Sequence, residues 1–244
     1  MVFLPNKIES SPELDAIVEQ MTSLPGLRWL FIKADVSDSG LKTIGTMTQL
    51  ERLCLQSWVI TDAGCVHLAN LTRLKGLELF GSQLTDETIA ALSVLPRLES
   101  LALHGRQMTN DGLVHLRRLP ALRGLTLHGR NTTGAGGTQI NGNALRIIAE
   151  LTNLENVSLD GVIVSDADLD HLARLKKLKS ASFFMTGASE AAMAKLQEAL
   201  PQATLMAGGG GTMTWPPATS IGGKGVPGAF TVGPTVVVPG AAGY

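Results

Sequence analysis

Residues 47–70 read MTQLERLCLQSWVITDAGCVHLAN, residues 71–94 read LTRLKGLELFGSQLTDETIAALSV, and residues 95–118 read LPRLESLALHGRQMTNDGLVHLRR. The three stretches align without gaps at a period of 24 residues. Residues 151–174 follow the same plan, a shorter copy begins at Leu24, a longer one at Leu119 and a degenerate one at Leu175. These seven copies predict that residues 24–206 form one domain of stacked structural repeats.

Each copy joins two apolar periodicities. The first part has the alternating apolar positions of a strand, at Leu50, Leu53 and Leu55. The second part has apolar positions three or four residues apart, as on a helix, at Cys65 and Leu68. Residues with side-chain oxygens stand where a helix would begin, at Thr61-Asp62, Thr85-Asp86, Thr109-Asn110 and Ser165-Asp166. The pattern predicts a strand followed by a capped helix in every repeat, with neighbouring repeats sharing a continuous core.

The consensus LxxLxLxxxxΦTDxGLxxLxxL resembles the leucine-rich-repeat superfamily, in the strand-and-helix form related to the ribonuclease-inhibitor and cysteine-containing types. The resemblance implies an α/β fold, a right-handed, horseshoe-shaped solenoid with parallel strands on the concave face and helices on the convex face. It also implies a role in binding other macromolecules. The usual asparagine after the strand is replaced by the turns Phe80-Gly81, His104-Gly105 and His128-Gly129.

Three segments depart from the repeat. Residues 1–23 contain the helix start Ser11-Pro12 and are predicted to form an N-terminal capping helix, with Val2 to Leu4 as a shielding strand. The fifth repeat is longer than its neighbours, and residues 132–139 are predicted to loop out as an insertion. Residues 207–244 are rich in Gly and Pro and are predicted to be a flexible tail. Residues 200–205 resemble a final strand that closes the array.

Composition narrows the classes of function. A net charge of −1 argues against nucleic acid and anionic membranes as partners. The sequence contains no signal-like start and no long apolar run, so we expect a cytoplasmic protein, and its two cysteines are expected to be free thiols. GxSxG, HExxH, CxxC and phosphate-loop motifs are absent, which predicts a binding protein without catalytic activity or cofactor. We expect it to be a monomer.

Strand alternation assigns outward-facing columns to the concave face. In the first two, Cys54 is expected to be exposed beside Glu78, and small polar residues dominate the later repeats. The third column brings Phe80, His104, His128 and Asp160 onto successive strands. With two nearby arginines, these residues form the predicted partner-binding site: Phe80, His104, Arg106, His128, Arg130 and Asp160.

Three functions are compatible with this surface. The leading hypothesis is a protein-protein interaction module that holds a protein or peptide on its concave face. An alternative is a metal- or anion-responsive binder, because His104, His128 and Asp160 form a two-histidine, one-carboxylate set and two arginines can bind an anion. A third, by analogy with repeat proteins that carry an F-box, is a substrate-recruiting adaptor for ubiquitin transfer.

Overall fold

The computed structural model describes residues 2–4, 11–81, 83–129 and 139–208. Within these ranges, nine strands form one parallel sheet in which the order in space equals the order in the chain. The strands are β1 (Val2–Leu4), β2 (Trp29–Lys33), β3 (Arg52–Gln56), β4 (Gly76–Phe80), β5 (Ser100–His104), β6 (Gly124–His128), β7 (Asn156–Asp160), β8 (Ser180–Phe184) and β9 (Thr204–Gly208). The predicted α/β leucine-rich-repeat solenoid is confirmed.

Helical segments of successive repeats pack against each other and form the second layer. They are α1 (Ser11–Met21), α2 (Asp38–Ile44), α3 (Asp62–Cys65), α4 (Asp86–Leu92), α5 (Ala144–Ile148), α6 (Asp166–Leu169) and α7 (Glu190–Ala199). Segments of 3₁₀ helix cover Val66–Asn70, Gly112–Arg118 and Asp170–Arg174, so not every repeat carries the regular α-helix that its spacing predicts. A 3₁₀ segment rises about 2.0 Å per residue, more than an α-helix, and so spans the same distance with fewer residues.

One hydrophobic core runs through the stacked repeats, from Leu14 in α1 to Ala203 before β9. The inward positions of β3, Leu53 and Leu55, are fully buried, and the equivalent Leu77 and Leu79 of β4 stack beside them in register. Because every repeat adds one such layer, the core grows by repetition and each repeat depends on its neighbours.

The cap residues also join one repeat to the next. The backbone N–H and the hydroxyl of Thr61 donate to the Asp38 carboxylate at 2.9 and 2.6 Å. The same pair of bonds links Thr85 to Asp62, Thr109 to Asp86 and Ser189 to Asp166. Each threonine or serine also accepts a bond from a backbone N–H of its own repeat. We call this row of carboxylates and hydroxyls the Asp–Thr ladder.

Gly64 makes room for the ladder. A Cβ atom at this position would meet the Asp38 carboxylate and lie 2.9 Å from Asp38 Cα and 2.8 Å from Leu41 Cδ1. The equivalent residue of the next repeat is Thr88, whose hydroxyl instead donates to the Asp62 carboxylate. The site therefore tolerates a side chain only when that side chain bonds to the aspartate in its way.

Both ends of the described array are covered by a further strand. β1 pairs with β2, so that Phe3 lies in register with Phe31, and α1 buries Leu14 and Val18. At the other end β9 pairs with β8 but begins at Thr204, later than expected. The insertion, apart from Gln139, and the tail beyond residue 208 lie outside the described residues.

Candidate binding face

The predicted concave columns are present in the strand register. Phe31, Cys54, Glu78, Ala102, Thr126, Ser158 and Ser182 are successive partners along one column. In the next column Gln56 pairs with Phe80 and Phe80 with His104, and His128 pairs with Asp160. The sheet therefore brings together Phe80, His104, His128 and Asp160, as the sequence indicated.

Four rings cluster where these strands end. The Phe80 centroid lies 5.6 Å from that of His104 and 5.7 Å from that of His128, and the two imidazoles are 5.6 Å apart. Trp58 approaches His104 edge-on at 6.3 Å. Separations of this size are typical of favourable aromatic pairs. We call Trp58, Phe80, His104 and His128 the ring patch.

The ring patch is apolar in character although half of it is histidine. Burial lowers the pKa of His128 to about 4. Burial also lowers the pKa of His104 to about 4, with further contributions from His128 and the Arg106 guanidinium. Both imidazoles are thus neutral at neutral pH. Trp58 is the most open member, with 42% of its surface exposed, whereas His128 is 8% exposed.

Asp160 lies at the edge of the patch and is buried. Its carboxylate accepts bonds from the hydroxyls of Ser158 at 3.1 Å and Ser182 at 3.4 Å, and its Oδ2 atom is 3.8 Å from His128 Nδ1. Burial raises the pKa of Asp160 despite these bonds. In the ranges that the structure describes, His104, His128 and Asp160 do not form a group that could hold a metal ion.

Of the two arginines of the predicted site, the structure describes Arg106. Arg106 is partly buried, and its Nε atom is enclosed without a hydrogen-bond partner among the described residues. Its charge is close enough to His104 to lower the pKa of that imidazole. Arg130 lies outside the described residues. The geometry therefore places Arg106 beside the ring patch.

Cys54 is not exposed, contrary to the expectation from strand alternation. Only 3% of Cys54 and 4% of Glu78 remain accessible, because each lies between side chains on two neighbouring strands, Cys54 between Phe31 and Glu78. Burial raises the pKa of the Cys54 thiol, and the neighbouring Glu78 carboxyl adds to the increase. Burial likewise raises the pKa of Glu78 to about 7, although the Cys54 thiol bonds to this carboxyl.

Both thiols are expected to resist modification in the folded protein. Cys65 is fully buried, and burial raises its pKa to about 12. Since the thiolate is the reactive form, a thiol reagent such as Ellman's should react on the order of a hundredfold more slowly than with a free cysteine. Unfolding in guanidinium should release both thiols at once, and free cysteine is the control. Rapid labelling of one thiol before unfolding would contradict the burial described here.

Two features of the structure escaped prediction from the sequence. One is the Asp–Thr ladder, in which the cap residues also bond to the aspartate of the preceding repeat. The other is a column of alternating charge before the strands: Glu51 pairs with Lys75 at 3.0 Å, and Glu155 pairs with Arg123 at 2.7 Å and Lys179 at 2.5 Å. The signal for both was the same, a charged or hydroxyl residue at one repeat position with a complementary residue one period later.

No protein-family model and no curated protein matches this sequence. Solved structures do match its fold. An internalin from Listeria monocytogenes has a TM-score of 0.53 and 17% identity, with 84% of this chain and 60% of the other covered. A leucine-rich-repeat protein from Leptospira interrogans has a TM-score of 0.50 and 16% identity, with 77% of this chain and 50% of the other covered. The chain thus spans between half and two thirds of the length of these two proteins.

No helix within the described ranges is long and apolar enough to cross a membrane.

Proposed function

We propose that this chain, which has the leucine-rich-repeat fold, is a protein-interaction module that holds a protein or peptide on its concave face. The observation that carries the proposal is the ring patch, together with the partly buried Arg106 beside it. Aromatic and arginine side chains dominate the energetics of protein interfaces, and rigid rings lose little conformational entropy on binding.

The surroundings of the patch suit an extended ligand. Ser100, Gly124, Thr126 and Ser158 are partly exposed and carry little bulk, so a backbone can approach the sheet closely. Arg52 stacks on the Trp29 ring at 5.3 Å and adds a second aromatic element at the early strands. The site of interaction we propose is therefore centred on Phe80, His104, Arg106, His128, Arg130 and Asp160, with Trp58 at its open edge.

This proposal describes a monomeric cytoplasmic scaffold that has no catalytic activity and needs no cofactor. In its support, both cysteines are free and buried, and burial raises the pKa of each thiol, which suits a reducing compartment and gives no activated nucleophile.

The test is selection from a displayed library of random peptides. Wild-type protein should enrich a family of related peptides, and the variant carrying Trp58→Ala, His104→Ala, Arg106→Ala, His128→Ala and Arg130→Ala should bind them at least about 30-fold more weakly, the loss typical of interface hot spots. Because His128 is buried, the double variant Trp58→Ala, Arg106→Ala is measured as well, with thermal melting as the check on folding.

The matched control is Val94→Ser, which changes a residue that is 59% exposed and lies outside the concave columns. It should bind as the wild type does. Equal binding by the patch variants and the wild type would move the site elsewhere, and failure to enrich any peptide would overturn the proposed function itself.

A further inference from the structure

Glu78 is the most unusual residue of the concave face. It occupies the middle outward position of β4, between Gly76 and Phe80, while Leu77 and Leu79 face the core. Its side chain is 4% exposed, and its Oε1 atom has no hydrogen-bond partner among the described residues. Buried polar atoms are almost always bonded, so an acceptor left open in this way calls for a further donor.

On the β5 side, Glu78 is bordered by small residues. Its register partner on β5 is Ala102, and Ser100 lies opposite Gly76. A Cβ atom at Gly124, the partner of Ser100 on β6, would meet nothing closer than 3.5 Å. A side chain of a bound partner that lies across these small residues would approach the carboxyl from the β5 side.

In the described part of the chain, the cation on the neighbouring strand does not fill this role. Arg52, on the neighbouring strand, runs along Gly76 and stacks its guanidinium on Trp29, and it gives no bond to Glu78 Oε1. The other buried carboxylate of the concave columns, Asp160, already accepts bonds from two serines. Of these two described carboxylates, Glu78 is thus the one with an oxygen, Oε1, that remains open.

We propose that Glu78 anchors a lysine or arginine side chain of the protein or peptide bound on the concave face. The inference rests on the proposed function and adds the chemistry of the partner. A cationic donor forms a stronger hydrogen bond to a carboxylate than a neutral donor does. The alkyl stem of lysine or arginine can pack on the small side chains of the sheet while its charged end reaches the carboxyl.

The position of Glu78 also specifies spacing. Phe80 is two residues further along the same strand face, about 7 Å away. The partner segment should therefore carry its basic residue about 7 Å, or two residues of an extended chain, from the apolar or aromatic residue that contacts the ring patch.

Binding of such a cation should depend on pH. The titratable and charged groups that face Glu78 are Arg52 and Cys54 on β3 and His104 on β5. His104 stays neutral above about pH 4, burial keeps the Cys54 thiol protonated, and arginine is a permanent cation. Between pH 5 and 8 the group of this set that changes charge is Glu78, whose pKa burial raises to about 7.

The experiment uses the full chain and the displayed random-peptide library. Peptides enriched by the wild type should carry a lysine or arginine at one aligned position, and Glu78→Gln should lose that enrichment. Glu87→Gln, an exposed glutamate of the same repeat, is the matched control and should keep it. A synthetic peptide from the selection, and its copy with norleucine or another neutral residue at the basic position, then give the affinities.

We expect the neutral peptide to bind the wild type at least tenfold more weakly than its basic parent does. The two peptides should bind Glu78→Gln with affinities within about twofold of each other, which is the signature of a direct pair in a double-mutant cycle. The basic peptide should bind the wild type on the order of tenfold or more tightly at pH 8 than at pH 5. The substitution in the peptide and the pH profile need no protein variant, so they hold even if Glu78→Gln folds poorly.

Enriched peptides without a common basic residue, or affinities that do not change between pH 5 and 8, would overturn the role of Glu78 and leave the proposed function standing. Absence of any enriched peptide would overturn both.

Discussion

Replacing Gly64 with valine is expected to lower the free energy of unfolding by about 3 kcal/mol, the upper range for overpacking a filled site. Glycine is normally the weaker residue in a helix, and a larger residue should gain stability there. Here the added atoms meet the Asp38 carboxylate and its backbone, and they would displace the two bonds that Thr61 donates to Asp38. Urea unfolding measures the change.

Gly64→Thr, whose new side chain has the same shape as valine, is the matched control for this prediction. Thr88 occupies the equivalent place in the next repeat and bonds to Asp62, so a threonine hydroxyl at position 64 can donate to Asp38 in the same manner. We expect Gly64→Thr to be more stable than Gly64→Val by about 1–2 kcal/mol, the value of a hydrogen bond to a charged group. Gly26→Ala, at an exposed position with nothing within 4 Å, should be nearly neutral. Equal stability of the valine and threonine variants would show that the ladder carries no such energy.

Acid should destabilise the protein through protonation of His128, beginning at pH values well above those at which most carboxyl groups titrate. The pKa of His128 is about 4 in the folded state, where burial opposes the charged form, against 6.5 for an ordinary histidine. Below pH 6.5 the unfolded chain therefore binds a proton that the folded protein does not, and stability falls as the pH is lowered from 6.5 towards 4. The loss between pH 8 and 4.5 is about 2.5 kcal/mol for His128. His104 adds a smaller loss of the same sign because it is less buried.

Glu78 works in the opposite direction over the same range. Its folded pKa of about 7 lies above the ordinary 4.5, so its contribution to stability is full below pH 4.5 and is lost as the pH rises through 7. This amounts to about 3 kcal/mol between pH 4.5 and 8, and the raised pKa of Asp160 acts with the same sign. The wild type should consequently show a nearly flat stability profile that hides two large, opposed effects.

Glu78→Gln should uncover the histidine effect. In that background, urea midpoints measured from pH 8 to 4.5 should fall steadily, and adding His128→Phe should remove most of the slope. His67→Phe, a convex-face substitution, is the matched control and should leave the slope in place. A flat profile in Glu78→Gln would contradict the neutral, buried state of His128 described here. The slope, not the absolute stability, is the measurement, since each substitution also changes packing.

These titrations connect stability to binding. A buried carboxyl at neutral pH weakens the free protein, and so does an enclosed Arg106 Nε without a partner. A ligand that supplies the missing bonds would regain that free energy on binding. Among the described residues, the buried polar atoms that lack hydrogen-bond partners therefore lie on the concave face, where the proposed partner docks. The polar atoms of the Asp–Thr ladder, which lie between the repeats, are hydrogen-bonded.

The sequence by itself determined the repeat period, the alternation of strand and helical segment, and the set of side chains that share the concave face. It could do so because strand alternation and repetition are local rules: once Leu53 and Leu55 face the core, Cys54 must face away, and the same follows one period later for Glu78. The grouping of Phe80, His104, His128 and Asp160 needed nothing more than these rules.

Only the tertiary structure decided how deep each outward side chain lies and what it contacts. Cys54, Glu78 and Asp160 are outward by register and yet buried, because their exposure depends on the side chains of two neighbouring strands and on the curvature that brings them together. The same holds for the stacking of three rings at under 6 Å, for the replacement of α-helix by 3₁₀ segments, and for the bonds that tie each cap to the aspartate of the preceding repeat. Burial and hydrogen bonding between repeats are sums over neighbours that are distant in sequence, and no local pattern contains them.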